Sequence, residues 1–199
     1  MTTSLADSFE TARTEHLRLR RPVESDLAAV YAIHADPATN IHNPFGPDLD
    51  REASRSRLQG WIRHWQRYGF GYWTLEVLDE NGRGGGLVEP DPACAVTAGF
   101  AGLRRGRWLE RDILNLYYRL APSAWGSGFA AEAARHAVGS ARLHFPDTPV
   151  IARTTVGNLP SQRTAAAAGL IRRTDLDRDD GSGLSVIFSS SQWPEQPER

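Results

Sequence analysis

Between Leu116 and Ala141 the chain reads L-Y-Y-R-L-A-P-S-A-W-G-S-G-F-A-A-E-A-A-R-H-A-V-G-S-A, a succession that leaves little choice of local structure. Residues Leu114–Leu120 include β-formers and no Gly or Pro, which suits a buried strand. Pro122 ends it. Beyond Gly128, small or apolar side chains recur at Ala130, Ala133, Ala134, Ala137, Val138 and Ala141, one face of a helix built from strong helix formers. Gly126 and Gly128 therefore stand where that helix begins. The first amides of a helix have no intrahelical partner, and the peptide dipoles add positive potential there. Glycines let an anion approach such amides closely, so the junction suits a phosphate. Two glycines and a serine also serve as an ordinary loop and cap, and on these residues alone both readings stand.

With 199 residues the chain can bury a full core, and 1–199 reads as a single domain with flexible ends at 1–14 and 195–199. A formal net charge of -1 gives no bulk electrostatic case for nucleic acid or an acidic membrane surface. One cysteine, Cys94, excludes an internal disulfide framework and fits a reducing compartment. No apolar run approaches a membrane span, and Met1–Glu15 lacks the apolar region of a signal peptide. A cytoplasmic protein with no nucleic-acid or membrane partner is expected.

His16–Arg21 alternates as a half-exposed strand with Leu17 and Leu19 on one side. A helix follows with Leu27, Val30, Tyr31 and His34 on one face, and Ser25 or Glu24 suits its cap. Asp36–Asp50 is a Pro-, Asn- and Asp-rich loop. Arg51–Tyr68 reads as a helix, with Leu58, Trp61, Ile62 and Trp65 spaced for one face. Tyr72–Leu78 is a strand, Asp79–Gly86 a hairpin loop that Glu89–Pro92 extends, Ala98–Leu103 a short strand, and Arg104–Glu110 an Arg-rich connection. Val150–Thr155 is a further strand; Gln162–Ala168 is a helix that Asn158 or Ser161 can cap and Gly169 closes. Asp175–Gly183 reads as a mobile loop before a last strand, Leu184–Phe188. Hairpins at both ends around unevenly interleaved strands and helices indicate an α+β fold, a mixed sheet with helices on both faces. The histidines lack a clustered metal spacing, so no metal is expected.

Gly126-Ser127-Gly128-Phe129-Ala130-Ala131 matches a G-x-G-x-x-A dinucleotide fingerprint. That fingerprint needs a tight turn straight from the strand and an acid ending the next strand, whereas Ala121–Trp125 intervenes and Val150–Thr155 ends in Thr154 and Thr155. Trp125-Gly126-Ser127-Gly128-Phe129-Ala130 instead resembles motif A of the GNAT acyltransferases, and Trp125 with Ala131-Glu132-Ala133 resembles the RimJ/RimL-type subgroup. Asn158, Ser161, Arg163, Gly169 and Leu170 match a second hallmark of that subgroup, N-x-x-S-x-R with a closing glycine. The resemblance implies a GNAT-like, largely antiparallel central sheet and an N-acetyltransferase, monomeric or homodimeric, that uses acetyl-CoA and an amine acceptor. It implies a cofactor site from Leu120, Trp125, Gly126, Ser127, Gly128, Phe129, Ala130, Asn158 and Ser161, with the loop amides on the pyrophosphate.

Such chemistry needs an unprotonated amine; an α-amino group, with a reference pKa of about 7.7–8.0, supplies one near neutrality. It needs donors for the tetrahedral oxyanion and a proton for the leaving thiolate. The tyrosine many family members place four residues before the closing glycine is Ala165 here. The resemblance makes Ser161 its replacement, and helix capping is the competing role for that residue. Tyr118 matches an aromatic position of the subgroup that shapes the acyl pocket. For the general base, Glu76, Glu110 and Asp112 are the strand-associated acids, each also readable as a surface charge. Ser127 does not fit a hydrolase nucleophile elbow. A catalytically silent CoA-binding relative remains an alternative.

Overall fold

Leu17 and Leu19 are fully buried and Arg18 between them is exposed, so the alternation in His16–Arg21 becomes strand β2 (Leu17–Arg20). In the computed structural model, which describes residues 9, 11–78, 84–85, 97–179, 181 and 183–190, β2 belongs to a ten-stranded sheet. The other strands are β1 (Thr11–Arg13), β3 (Tyr72–Leu78), β4 (Gly84–Gly85), β5 (Thr97–Trp108), β6 (Arg111–Leu120), β7 (Val150–Thr155), β8 (Ile171–Arg172), β9 (Arg178–Asp179) and β10 (Leu184–Ser189). The order is β1-β2-β3-β5-β6-β7-β10-β8, with β4 on β3 and β9 on β10. The β6–β7 pairing is parallel and the others are antiparallel.

Among the described residues four α-helices cover the sheet: α1 (Leu27–His34), α2 (Arg51–Tyr68), α3 (Phe129–His144) and α4 (Leu159–Ala167). The small-residue face of α3 (Ala133, Ala134, Ala137, Val138 and Ala141) packs with Leu114, Leu116 and Leu120 of β6 in the largest apolar cluster. Alanines permit a close approach of helix to sheet, and together with Leu114 and Leu116 they explain the small-apolar period read there. On the opposite face, α1 and the Leu58–Trp61 edge of α2 pack with Tyr72, Phe100 and Tyr117. The mixed α/β fold with a largely antiparallel sheet and helices on both faces is therefore as expected. Central position also explains why Tyr72–Glu76 are buried on both sides of β3 instead of alternating.

Several boundaries differ. The Arg-rich segment after Leu103 is not a connection: β5 runs on to Trp108, and the turn is Leu109-Glu110, both at positive φ. Arg105 lies over the rings of Tyr68, Phe70 and Phe145 while remaining exposed, so it covers apolar surface with its charge still in water. Neither Ser25 nor Glu24 caps α1; a 3-10 turn, Glu24–Asp26, precedes it, and Asp26 accepts from Val23 N–H at 2.9 Å. Asp175–Gly183 holds a 3-10 turn at Thr174–Leu176 and strand β9, with Leu176 buried against Ile113, Ile151 and Ile187. Cys94, the 79–83 and 86–92 part of the expected hairpin loop, and the end at 195–199 lie outside the described residues.

Of the start expected to be flexible, residues 1–8 and 10 lie outside the described residues, and 9 and 11–14 are built into the fold. β1 pairs with β2, and Phe9 is buried, stacked on Trp73 with ring centroids 5.7 Å apart, while Trp73 Nε1 donates to Phe9 O at 2.7 Å. Phe9→Ala is expected to cost about 3 kcal/mol or more, the usual range for emptying a buried aromatic site. A urea melt checks this; a change below 1 kcal/mol means the segment is not part of the core.

Candidate functional site

β6 and β7 run parallel but pair only at Leu114–Val150, Asn115–Ile151 and Leu116–Ala152. Beyond Leu116, β6 keeps β5 on one side and has no strand partner on the other among the described residues. A cleft of about 420 Å³ opens at this end, walled by the end of β6, the head of α3, the head of α4 and residues of the Ala38–Asn43 segment. Parallel strands that part at their carboxyl ends are a common place for a ligand.

The loop after β6 is held open by its own chemistry. Pro122 starts a 3-10 turn, Pro122–Ala124, whose Ala124 is buried. Trp125 Nε1 donates to Leu120 O at 2.9 Å, pinning the loop to the strand end and occupying that carbonyl. Gly126 and Gly128 have φ of 79° and 80°, and a Cβ on either would meet nothing within 4 Å. Backbone conformation therefore selects glycine here, and the space in front stays open. Gly128 is the N-cap of α3, and no side chain caps the helix. Among the described residues the amides of 126–131 have no protein acceptor, as expected for the loop and first turn of a helix. Trp125, Gly126, Gly128, Phe129 and Ala130 all line the cleft; Ser127 is exposed and does not.

Glu132, in the first turn of α3, does not oppose an anion in the cleft. It accepts from His16 N–H at 2.8 Å and pairs with His16 Nδ1 at 2.9 Å. Burial raises its pKa, but hydrogen bonds from Thr14 and His16 outweigh that and hold it below the ordinary value. Its hydrogen bond pulls the His16 pKa up in turn.

Tyr118 and Ser161 meet across the cleft. Tyr118 O–H donates to Ser161 O at 2.7 Å, and the two hydroxyl oxygens are 3.0 Å apart. Burial pushes the Tyr118 phenol up to about 12, partly offset by its hydrogen bond with Ser161, so it stays neutral. The helix cap is Asn158: its Oδ1 accepts from Ser161 N at 3.1 Å. The Ser161 hydroxyl is thus released from the capping role the sequence left open.

The acids expected as bases are elsewhere. Glu76 is a buried partner of Arg18 and Arg20, and Glu110 and Asp112 are exposed beside Arg107 at the β5–β6 turn. No Asp or Glu lines the cleft among the described residues; its titratable side chains are His42, Tyr118 and Arg119. Arg119 was not singled out from the sequence, although a cation inside the apolar run L-Y-Y-R-L is the available signal. His34 is buried with Nδ1 2.9 Å from Val30 O and Nε2 2.7 Å from Tyr117 Oη; burial first, then Arg57 and Arg119, push it down to about 3. No three His, Cys, Asp or Glu side chains gather as a metal site among the described residues. No helix among them is long and apolar enough to cross a membrane.

Comparison with known proteins places this geometry. The acetyltransferase from Agrobacterium tumefaciens superposes with a TM-score of 0.72 at 21% identity, covering 96% of this chain and 98% of that one. The acetyltransferase (GNAT family) from Bacillus anthracis gives 0.65 at 16% identity over 90% and 96%. The spermidine N-acetyltransferase from Vibrio cholerae, solved in complex with CoA and spermine, gives 0.61 at 12% identity over 88% and 95%. These likenesses concern the fold. The sequence profile of the Acetyltransferase (GNAT) domain matches residues 16–171 of the 199, and the chain belongs to that family of acyltransferases.

Proposed function

We propose that the protein is an N-acetyltransferase that moves the acetyl group of acetyl-CoA to a primary amine, a protein N-terminus or a small molecule, by direct attack. The observation that carries this reading is the open Gly126–Gly128 turn, which lines the cleft with unclaimed amides beside the edge of β6 that β7 leaves free. Those amides and the α3 dipole suit a pyrophosphate. The CoA complex of the spermidine N-acetyltransferase on the same fold supports the choice of donor. The Trp125-Gly126-x-Gly128 and Asn158-x-x-Ser161 motifs support the RimJ/RimL-type subgroup, and the composition supports a single-domain cytoplasmic protein.

In this mechanism the thioester lies along the free edge of β6, whose backbone N–H groups stabilise the oxyanion. The amine nitrogen attacks the thioester carbon, the C–S bond breaks, and the amine's proton is released while the departing sulfur takes one. Ser161 Oγ–H donates to that sulfur, and Tyr118, fixed on the Ser161 carbonyl, orients it. His42 on the cleft wall is the side chain placed to receive the amine's proton.

Acetyl-CoA at a hundredfold above its dissociation constant should raise the stability by about 2.7 kcal/mol, and NAD should not. Gly128→Asp is expected to abolish most of that shift and raise the acetyl-CoA KM at least tenfold. Asp tolerates a left-handed φ and suits an N-cap, so the fold survives while the carboxylate competes with the pyrophosphate. A shift with NAD alone, or an undiminished acetyl-CoA shift in Gly128→Asp, refutes the assignment. Free-thiol release across an amine panel separates an enzyme from a silent CoA binder.

A further inference from the structure

Arg119 stands on the last part of β6, on the sheet face opposite α3, and lines the cleft. Its hydrogen-bond partner among the described residues is a neutral one: Nη1 donates to Asn40 Oδ1 at 2.8 Å. Asn40 is buried and committed on every side. Its Nδ2 donates to His34 O and Asp36 O, each at 2.8 Å, and its Oδ1 also accepts from Asn43 Nδ2 at 2.7 Å. The Pro37–Asn40 turn is capped by Asp36, whose Oδ1 accepts from Ala38 N at 2.8 Å. The guanidinium is therefore held in place by a rigid amide that brings no charge.

Among the described residues no carboxylate pairs with it. Asp48 is the buried carboxylate of this region, and it is taken by Arg57 and by Ser54 Oγ at 2.7 Å. His34 and Tyr117 on the same face are neutral, one pushed down to about 3 and the other up to about 12 by burial. The cleft wall carries no acid among the described residues. A half-buried guanidinium has lost part of its hydration, and a planar oxyanion placed before its remaining N–H groups restores the balance. A polycation would meet the same charge as a repulsion.

We propose that Arg119, set by Asn40, is the subsite for a carboxylate on the acceptor, so the amine acetylated carries an acidic group within a few bonds of its nitrogen. This rests on the acetyltransferase reading above and narrows its substrate class. Two sources present that chemistry, a free amino acid and a peptide whose first residue is acidic.

The test measures kcat/KM by thiol release for matched sets: an α-amino acid, its carboxamide and its decarboxylated amine; an Asp-initiated and an Asn-initiated tetrapeptide; and spermine. At least one carboxylate-bearing member should exceed its neutral match by about 10- to 100-fold, and whichever set shows it identifies the source. Arg119→Gln should reduce that ratio below about threefold with the acetyl-CoA thermal shift retained, Arg119→Lys should restore part of it, and Arg107→Gln, a cation outside the cleft, should leave the ratio unchanged. Acetyl-CoA binding with no carboxylate preference in wild type, or preferred turnover of spermine, overturns the subsite. Loss of the acetyl-CoA shift in a folded Arg119→Gln also overturns it, because the arginine then serves the donor. Absence of any acetyl-CoA shift in wild type instead refutes the parent reading.

Discussion

Ser161→Ala should lower kcat for acetyl transfer by about 10- to 100-fold and leave the acetyl-CoA thermal shift intact. The argument is differential: the Ser161 hydroxyl has little to do until sulfur begins to carry charge. A hydrogen bond to a charged group is worth about 1.5–3 kcal/mol, and one made only in the transition state appears in kcat. The substitution is structurally mild. Asn158, not Ser161, satisfies the first turn of α4, and Ser161 is only partly buried. Tyr118→Phe tests the other half of the pair. It removes the bond to the Ser161 carbonyl at 2.7 Å, so kcat should fall by a smaller factor together with some stability. Since the Tyr118 phenol is pushed up to about 12, it stays protonated through the neutral range and should add no break to the pH–rate profile below pH 10. A Ser161→Ala enzyme with wild-type kcat would move the proton source to solvent.

What the sequence made legible follows from where local physics decides. The Gly126–Gly128 turn, the helix after it and the strand before it are fixed by steric rules within a few residues, and they stand where expected. Arg51–Tyr68 and Tyr72–Leu78 have the boundaries read from spacing and composition, because the Gly69 terminus in a left-handed conformation separates them. The misreadings share another cause. Arg104, Arg105 and Arg107 read as a connection, yet pairing with β6 extends the strand through them; Arg105 and Arg107 are exposed, as on a solvated hairpin, and Arg105 also lies over three rings from distant parts of the chain. Glu76 looks like a candidate base until Arg18 and Arg20, more than fifty positions away, take both of its oxygens. Arg119 and Asn40 are likewise joined only by the fold. Alternation shows that a side chain points inward; it does not show which partner waits there.

The second large effect concerns Asp26, where Asp26→Ala is expected to cost about 3–5 kcal/mol, the range for removing one member of a buried ion pair. Asp26 is buried and fully used. Arg20 donates to its two oxygens at 2.8 and 2.6 Å, Thr74 Oγ1 donates at 2.9 Å and Val23 N–H at 2.9 Å. Arg20 also donates from Nε to Glu76 at 2.6 Å, and the two carboxylates hold its pKa above the ordinary arginine value. Removing Asp26 strands a hydroxyl and an amide and leaves Arg20 with Glu76 and the Arg21 carbonyl. Asp26→Asn keeps the shape and, with its oxygen at the Oδ2 position, three of the four acceptor roles, so it should cost less, and the difference between the variants tracks the charge and the lost Oδ1 bond. Urea unfolding midpoints read both. A loss below 1 kcal/mol for Asp26→Ala would mean that water reaches the network and screens it. The consequence for function runs through α1, which Asp26 leads into and which ends at His34, the residue whose carbonyl holds Asn40. Loosening that helix should blur the placement of Arg119 before it touches the glycine turn on the other side of the cleft. Acceptor KM should therefore rise in Asp26→Ala while the acetyl-CoA KM stays near wild type, and an equal rise in both would show that the two walls of the cleft are not separately supported.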